Sequence, residues 1–220
     1  MALIFFLLFL AFFFPFLFYP LLLFVGLFLI FIPLKFTVDS FFNLFFIPGQ
    51  IYKIATNTRL RKNHALEHAT VNILERDYGY RRLSGYATED GFYIIGAGDI
   101  NNVVEAAGRG LLLMRKGQSQ LAVHKNCGTS RIVDNFVSAI IFLGLLFTTG
   151  QLSIFNILIA LLLSHFISPF LGRIVQSKFT TQARVQELEI EQAYYEQQNI
   201  FWGGASNKIF VETKEIPFLN

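Results

Sequence analysis

IVDNFVSAIIFLGLLFTTGQLSIFNILIALLLSHFISPFL, residues 132–171, is apolar almost throughout and is interrupted once, at TTGQ (148–151). Each half runs about eighteen to twenty residues, long enough to cross the hydrocarbon core of a bilayer as a helix. The stretch reads as a transmembrane helical hairpin with a short turn. Asp134 lies near its first end, where the carboxylate can stay in the interfacial layer.

A second apolar region opens the chain. Residues 1–34 carry no charged side chain, and Lys35 is the first. As one straight helix they would run about 50 Å, against a core of roughly 30 Å. Pro15 and Pro20 favour a break and a tight or re-entrant hairpin, one steeply tilted span being the alternative. A secretory signal peptide fits poorly, because MALIFF has no basic residues and no small-x-small cleavage site follows the run. Residues 35–51 are aromatic but broken by Asp39, Asn43 and Pro48, and read as an interfacial segment with its Phe face in lipid.

Composition agrees with this division. Of 220 residues 54% are apolar and 15% charged, where a soluble domain carries about 25% charged residues. Sixteen of the 27 Phe residues fall within the first fifty positions. A disordered chain is excluded, and the lone Cys127 excludes a disulfide scaffold. Lys53, Arg59, Arg61, Lys62 and Arg131 flank the middle segment, and Arg173, Lys178 and Arg184 follow the last span, while the 148–151 turn has no basic residue. The positive-inside rule then sets the middle segment and the tail on the cytoplasmic side. The net charge of +3 suits anionic headgroups. The expected partners are the lipid bilayer and a membrane protein or second copy, with no nucleic acid.

Residues 52–131 read as a folded α+β unit. KNHALEHATVNILERDYGY (62–80) predicts a helix ended by Gly79, with Leu66, Ala69, Ile73 and Leu74 as its apolar stripe. GYATEDGFYIIGAG (85–98) predicts two short strands about Asp90-Gly91. DINNVVEAAGRGLLLMRKG (99–117) predicts a helix capped by Asp99, in which Gly108 and Gly110 imply close packing against a neighbour. SQLAVH (119–124) is a strand candidate running into the turn KNCGTS. GAGD (96–99) lacks the full dinucleotide or Walker pattern, so no nucleotide is expected. Residues 172–220 form the tail, in which TTQARVQELEIEQAYYEQQNIFWGG (180–204) predicts an amphipathic helix and KIFVETKEI (208–216) a short strand. The fold class is thus an α-helical integral membrane protein with a small α+β cytoplasmic domain inserted between membrane segments.

The chemistry sits in the scarce residues. His64-Ala65-Leu66-Glu67-His68 is an H-x-x-E-H string on a predicted helix, where residues four apart share a face. Both imidazoles can converge on one Zn²⁺ while Glu67 reaches a bound water as general base, the inverted zincin order. His124 and Cys127, three apart in an Asn/Gly turn, offer a second pair of ligands. Three of the four histidines and the only cysteine thus fall in two short strings. The candidate site is Glu67 as catalytic base with His64, His68, His124 and Cys127 as metal ligands. Four engaged ligands would close the site as a structural one, and three would leave room for water. The plainer alternatives are two surface histidines beside a solvated Glu67, and Cys127 as a small buried hydrophobe. His165, in the last span, has either a hydrogen-bond partner or a snorkelling role, and Asn156 could join that span to a neighbour.

NHALEHATVNILE, LSGYATEDGFYIIG and LAVHKNCGTS resemble the blocks of an uncharacterised membrane-protein family of cyanobacteria and related bacteria, a domain of unknown function. That resemblance spans about residues 52–131 and implies an inner or thylakoid membrane location. More remotely, the pair of strings resembles the uncharacterised family containing YqhQ, with Glu67, His68, His124, Cys127, Gly128 and Thr129 matching its pattern and His64 without a counterpart. Neither resemblance implies an established reaction. The residues lead to a zinc-dependent hydrolase, peptidase or amidase-like, or else to a non-catalytic scaffold or assembly factor with a structural metal site. Transport is weak with four or fewer spans.

Overall fold

The computed structural model describes residues 2–199 and 205–216. Its backbone runs α1 (Ala2–Phe13), α2 (Pro15–Ala55), α3 (Thr58–Asp77), β1 (Ser84–Ala87), β2 (Gly91–Ile95), α4 (Ile100–Arg115), α5 (Gly128–Thr149), α6 (Ile154–Val175), β3 (Leu188–Asn199) and β4 (Ala205–Glu215). A 3-10 turn (Ser119–Ala122) precedes α5, and a π turn (Gln176–Thr180) follows α6. This is a largely helical protein with a small β-sheet unit. Three of its helices, Pro15–Ala55, Gly128–Thr149 and Ile154–Thr180, are long and apolar enough to cross a membrane.

The chain divides into two compact units. One comprises residues 1–45 and 135–166. Its core is Phe142, Leu143, Ile157 and Ala160 packed with Ile32, Phe36 and Leu44, and the Phe36 and Phe142 rings meet edge to face at 4.9 Å. The rest of α2 turns Phe and Leu side chains outward, a surface that water disfavours and lipid accepts. The expected break occurs at Phe14, before Pro15, while Pro20 lies inside α2. Residues 35–51, expected as a segment of their own, continue the same helix. Lys35 pairs with Asp39 one turn on, and Thr37 returns its hydroxyl hydrogen to the Pro33 carbonyl, so the polar residues are accommodated without ending the helix. The hairpin turn falls where expected, and Asn156 closes it by donating to the Gln151 carbonyl and the Thr149 hydroxyl.

The other unit comprises residues 46–134 and 167–220. α3 is its centre. Asn57 caps the helix by accepting from the Leu60 amide, and Ala65, Leu66, Ala69, Ile73 and Leu74 are fully buried along it. Each large aliphatic side chain so buried contributes about 1.5–3 kcal/mol. α4 lies close by: a Cβ on Gly110 would stand 3.1 Å from that of Ala69, which explains this glycine, whereas nothing approaches Gly108.

The sheet order is β1-β2-β4-β3, antiparallel throughout. Phe92, Ile94, Ile209 and Val211 face the core. Two expectations require correction here. The tail predicted as an amphipathic helix is β3, because Leu188, Ile190, Ala193 and Tyr195 face one way and Tyr194 and Glu196 the other, with a register shift between Ile190 and Gln192. The candidate strand SQLAVH is a 3-10 turn instead, its backbone serving as acceptor for side chains of α3. Residues 200–204, the end of the stretch read as helix, lie outside the described residues.

Candidate metal centre

Helical spacing sets the first two ligands. His64 and His68 stand one turn apart on α3, their ring centroids 4.4 Å from each other. Each ring is fixed by a backbone carbonyl. His64 Nδ1 donates to the Thr180 carbonyl at 2.9 Å, and His68 Nδ1 donates to the Ala122 carbonyl at 2.8 Å. This assignment of hydrogens follows from the acceptors, since a carbonyl can only accept. Both Nε2 atoms are thereby left with free lone pairs. Outer hydrogen bonds of this kind orient metal-binding histidines.

Cys127 completes a triplet. Its Sγ lies 3.4 Å from His64 Nε2, and one ligand atom from each of His64, His68 and Cys127 falls within 4.8 Å of the others. The Thr129 amide donates to the same sulfur at 3.3 Å. A buried His–His–Cys cluster of this geometry can coordinate a metal ion, its imidazoles and thiolate being borderline-soft ligands. Burial lowers the pKa of His64 and lowers that of His68 well below the ordinary value, which keeps both imidazoles neutral and able to ligate. It also raises the Cys127 thiol.

Glu67 points into the same space. Its Oε2 stands 3.8 Å from Nε2 of His64 and 3.8 Å from Nε2 of His68. Burial pushes its carboxyl up to about 8. No lysine or arginine pairs with it among the described residues. On its other side Gly85 of β1 leaves space for the carboxylate, since a Cβ there would lie 2.5 Å from Oε1 and 2.6 Å from the Tyr93 carbonyl.

His124 is placed differently. Its Nε2 is 3.3 Å from Glu75 Oε2, and its ring centroid is 6.0 Å from that of His68. It falls outside the mutually close triplet, on the far side of His68. The structure therefore gathers His64, His68, Cys127 and Glu67, and gives His124 a carboxylate partner instead. His165 is exposed on α6 beside Phe166, in the other unit.

The two strings meet because the π turn after α6 supplies backbone and side-chain partners to both. Besides the Thr180 carbonyl, Gln176 accepts from the His124 amide at 3.0 Å and donates to the Ser130 hydroxyl at 2.6 Å. Sequence reasoning passed over Gln176, Thr180, Ala122 and Gly85. The first three act through a buried amide or through main-chain carbonyls that carry no signal of residue type. Gly85 alone had one, a glycine within a short strand.

A cavity of about 710 Å³ opens on the cluster, lined by His64, Glu67, His68, Cys127 and β1. The class that fold and site define is a membrane protein whose sheet unit carries a buried centre able to hold a metal. The family model described as a domain of unknown function (DUF6391) matches residues 59–193, and the chain belongs to that family. It is similar to an uncharacterized protein of Picosynechococcus sp., 32% identical over 151 residues that cover 63% of this chain and 72% of the relative. No solved structure matches.

Proposed function

We propose that this protein is a membrane-anchored, zinc-dependent hydrolase of amide or ester bonds, with its site on the cytoplasmic side of the inner or thylakoid membrane. One observation carries the reading: Glu67 Oε2 stands equally far, at 3.8 Å, from Nε2 of His64 and Nε2 of His68, with the Cys127 sulfur 3.4 Å from the first of them. Three ligands and a neighbouring carboxylate are the composition of a catalytic rather than a closed zinc site. The ion, when bound, supplies Lewis-acid polarisation of a carbonyl and acidifies water.

The chain's own part is to hold and to move a proton. His64, His68 and Cys127 hold the ion, and the Thr180 and Ala122 carbonyls keep the two rings turned toward it. Glu67, in its ionised form, takes a proton from water at Oε2. His124, paired with Glu75, stands back as a group beside the cavity. The pairing of the two strings in the remoter YqhQ-like pattern supports their acting together.

The test is metal analysis and hydrolysis of quenched peptide and ester substrates by the purified full chain in detergent, beside Glu67→Gln. We expect about one zinc per chain in both proteins, and a fall of about 10²–10⁴-fold in turnover for E67Q. Wild type without a bound transition metal overturns the reading. Metal retained with no turnover in either protein favours the scaffold alternative with a structural metal site; the deep burial of Glu67 is the observation on that side.

A further inference from the structure

β1 is an edge strand, bonded to β2 on one side only, and its four residues Ser84, Gly85, Tyr86 and Ala87 line the cavity beside Glu67. The ladder parity shows which of its main-chain groups are turned outward. Thr88 donates its amide to the Gly91 carbonyl at 2.8 Å, so Thr88 and Gly91 are a hydrogen-bonded pair. Such pairs alternate with non-bonded ones in an antiparallel ladder. Ala87 opposite Phe92, and Gly85 opposite Ile94, are accordingly the non-bonded positions. Their N–H and C=O groups face away from β2, and no hydrogen bond from another described element meets them.

Edge strands in native proteins are blunted by being very short, by Pro or Lys, or by a bulge. β1 is short, but Ser-Gly-Tyr-Ala carries no Pro, Lys or bulge, and its small residues leave the edge approachable. Two arginines line the same cavity. Arg82 and Arg131 are exposed, and no acidic residue pairs with either among the described residues. Arg82 also holds a left-handed backbone, at φ 59°, a strained conformation for this residue type that sets it immediately before β1.

We propose that this cavity takes an extended polypeptide bearing acidic side chains, which adds to the outer edge of β1 as a further strand. Main-chain bonds to Gly85 and Ala87 give the affinity, and Arg82 and Arg131 select the acidic side chains. Because Glu67 packs against Gly85, a chain bound in this register passes beside the His–His–Cys cluster. That the bound chain is then cut rests on the hydrolase reading; that it binds does not.

The experiment uses the full-length E67Q chain in detergent and fluorescein-labelled heptapeptides read by anisotropy. The probes are a peptide of alternating valine and glutamate, its valine–lysine counterpart, and two forms of the first N-methylated at alternate amides, one for each register. The glutamate peptide is expected to bind at least about tenfold tighter than the lysine one. N-methylation in one register should cost about tenfold or more and in the other much less. Arg82→Glu with Arg131→Glu should invert the charge preference, and the peptide comparisons stand without that variant should it fold poorly. Equal binding of the glutamate and lysine peptides, indifference to N-methylation in both registers, or no binding by any peptide overturns the proposal. Cleavage by wild type is scored apart. Register-sensitive binding without cleavage supports the docking edge and removes the hydrolase; cleavage indifferent to N-methylation does the reverse.

Discussion

Helix α3 buries a lysine and a glutamate five positions apart, and they are treated in opposite ways. Lys62 has 6% of its side chain exposed, and Glu67 has 7%. Lys62 reaches two carboxylates, Glu187 and, at 2.7 Å, Glu215. Burial works against its charge, but these two bonds outweigh it and leave its pKa above the ordinary lysine value. Glu67 meets two neutral imidazoles and a thiol. The early part of the helix balances its own charge with the ends of the two C-terminal strands. The middle collects ligand atoms round an acid. Burial without a cationic partner leaves this carboxyl largely protonated near neutral pH, and a fold keeps so poorly matched a polar group only where something other than stability is gained. The contrast marks Lys62 as an anchor for the tail and Glu67 as a group set for chemistry.

The largest effect should come from the anchor. Lys62→Met leaves Glu187 and Glu215 facing each other without a cation. Breaking a buried pair costs about 3–5 kcal/mol, and the low end applies because both carboxylates keep 37% of their side-chain exposure. We expect a loss of about 3 kcal/mol in unfolding of the detergent-solubilised chain, with zinc content retained. The pH dependence follows from the raised pKa. Stability from this pair is complete below the ordinary value of 10.5 and is lost as pH climbs through the higher folded value. Wild type should therefore weaken more steeply than K62M in strongly alkaline buffer. If K62M loses metal but unfolds no earlier, Lys62 and Glu67 are not the separate devices described.

The anchor also shows where sequence reading stopped. His64, Glu67 and His68 were legible because helical period alone puts them on one face, and the apolar hairpin was legible because length and composition decide it. The tail was not. LEIEQAYYEQQN (188–199) is rich in Gln and Glu, which favour helices, and its alternation is interrupted where the register shifts between Ile190 and Gln192. Pairing with β4, the next strand, makes a strand of it, and the buried Lys62, remote in sequence, holds Glu187 just before it. His124 was grouped with the ligands on residue type. Its partner Glu75 drew no reading of its own, and no spacing rule joins residues forty-nine apart.

A smaller effect should come from the wall behind the acid. A methyl group on Gly85 would meet both the Glu67 carboxylate and the Tyr93 carbonyl, and only the first can swing aside. Overpacking of this kind costs about 1–3 kcal/mol, and we place Gly85→Ala at about 2–3 because the Tyr93 carbonyl cannot give way even where Glu67 does. Beyond that loss, the displacement of Glu67 should lower turnover, with zinc still bound by His64, His68 and Cys127. Equal turnover in G85A would mean that the position of Glu67 against β1 is unimportant, and the difference between Lys62 and Glu67 would lose its functional meaning.

The smallest effect has the opposite sign and is the most direct probe of the contrast. In chelator-treated protein, Glu67→Gln removes an acid whose folded pKa, about 8, lies above its ordinary 4.5. Between those values the folded chain holds one proton more than the unfolded chain, so this carboxyl costs stability increasingly as pH rises, and the cost levels off above about 8. His64 and His68, whose pKa values burial lowers, act the other way and gain stability as pH rises, while the raised Cys127 thiol begins to cost stability only in alkali. The variant shares both histidines, and the Cys127 thiol, which the Glu67 charge helps to raise, ionises only in alkali, so between pH 4 and 8 the difference between E67Q and wild type isolates Glu67. That difference should be near zero at pH 4 and favour E67Q by up to about 1 kcal/mol at pH 8, once the hydrogen bonding that Gln retains is allowed for. Melting curves of the two proteins across that range decide it. A variant less stable than wild type at pH 8 would make Glu67 a structural group like Lys62.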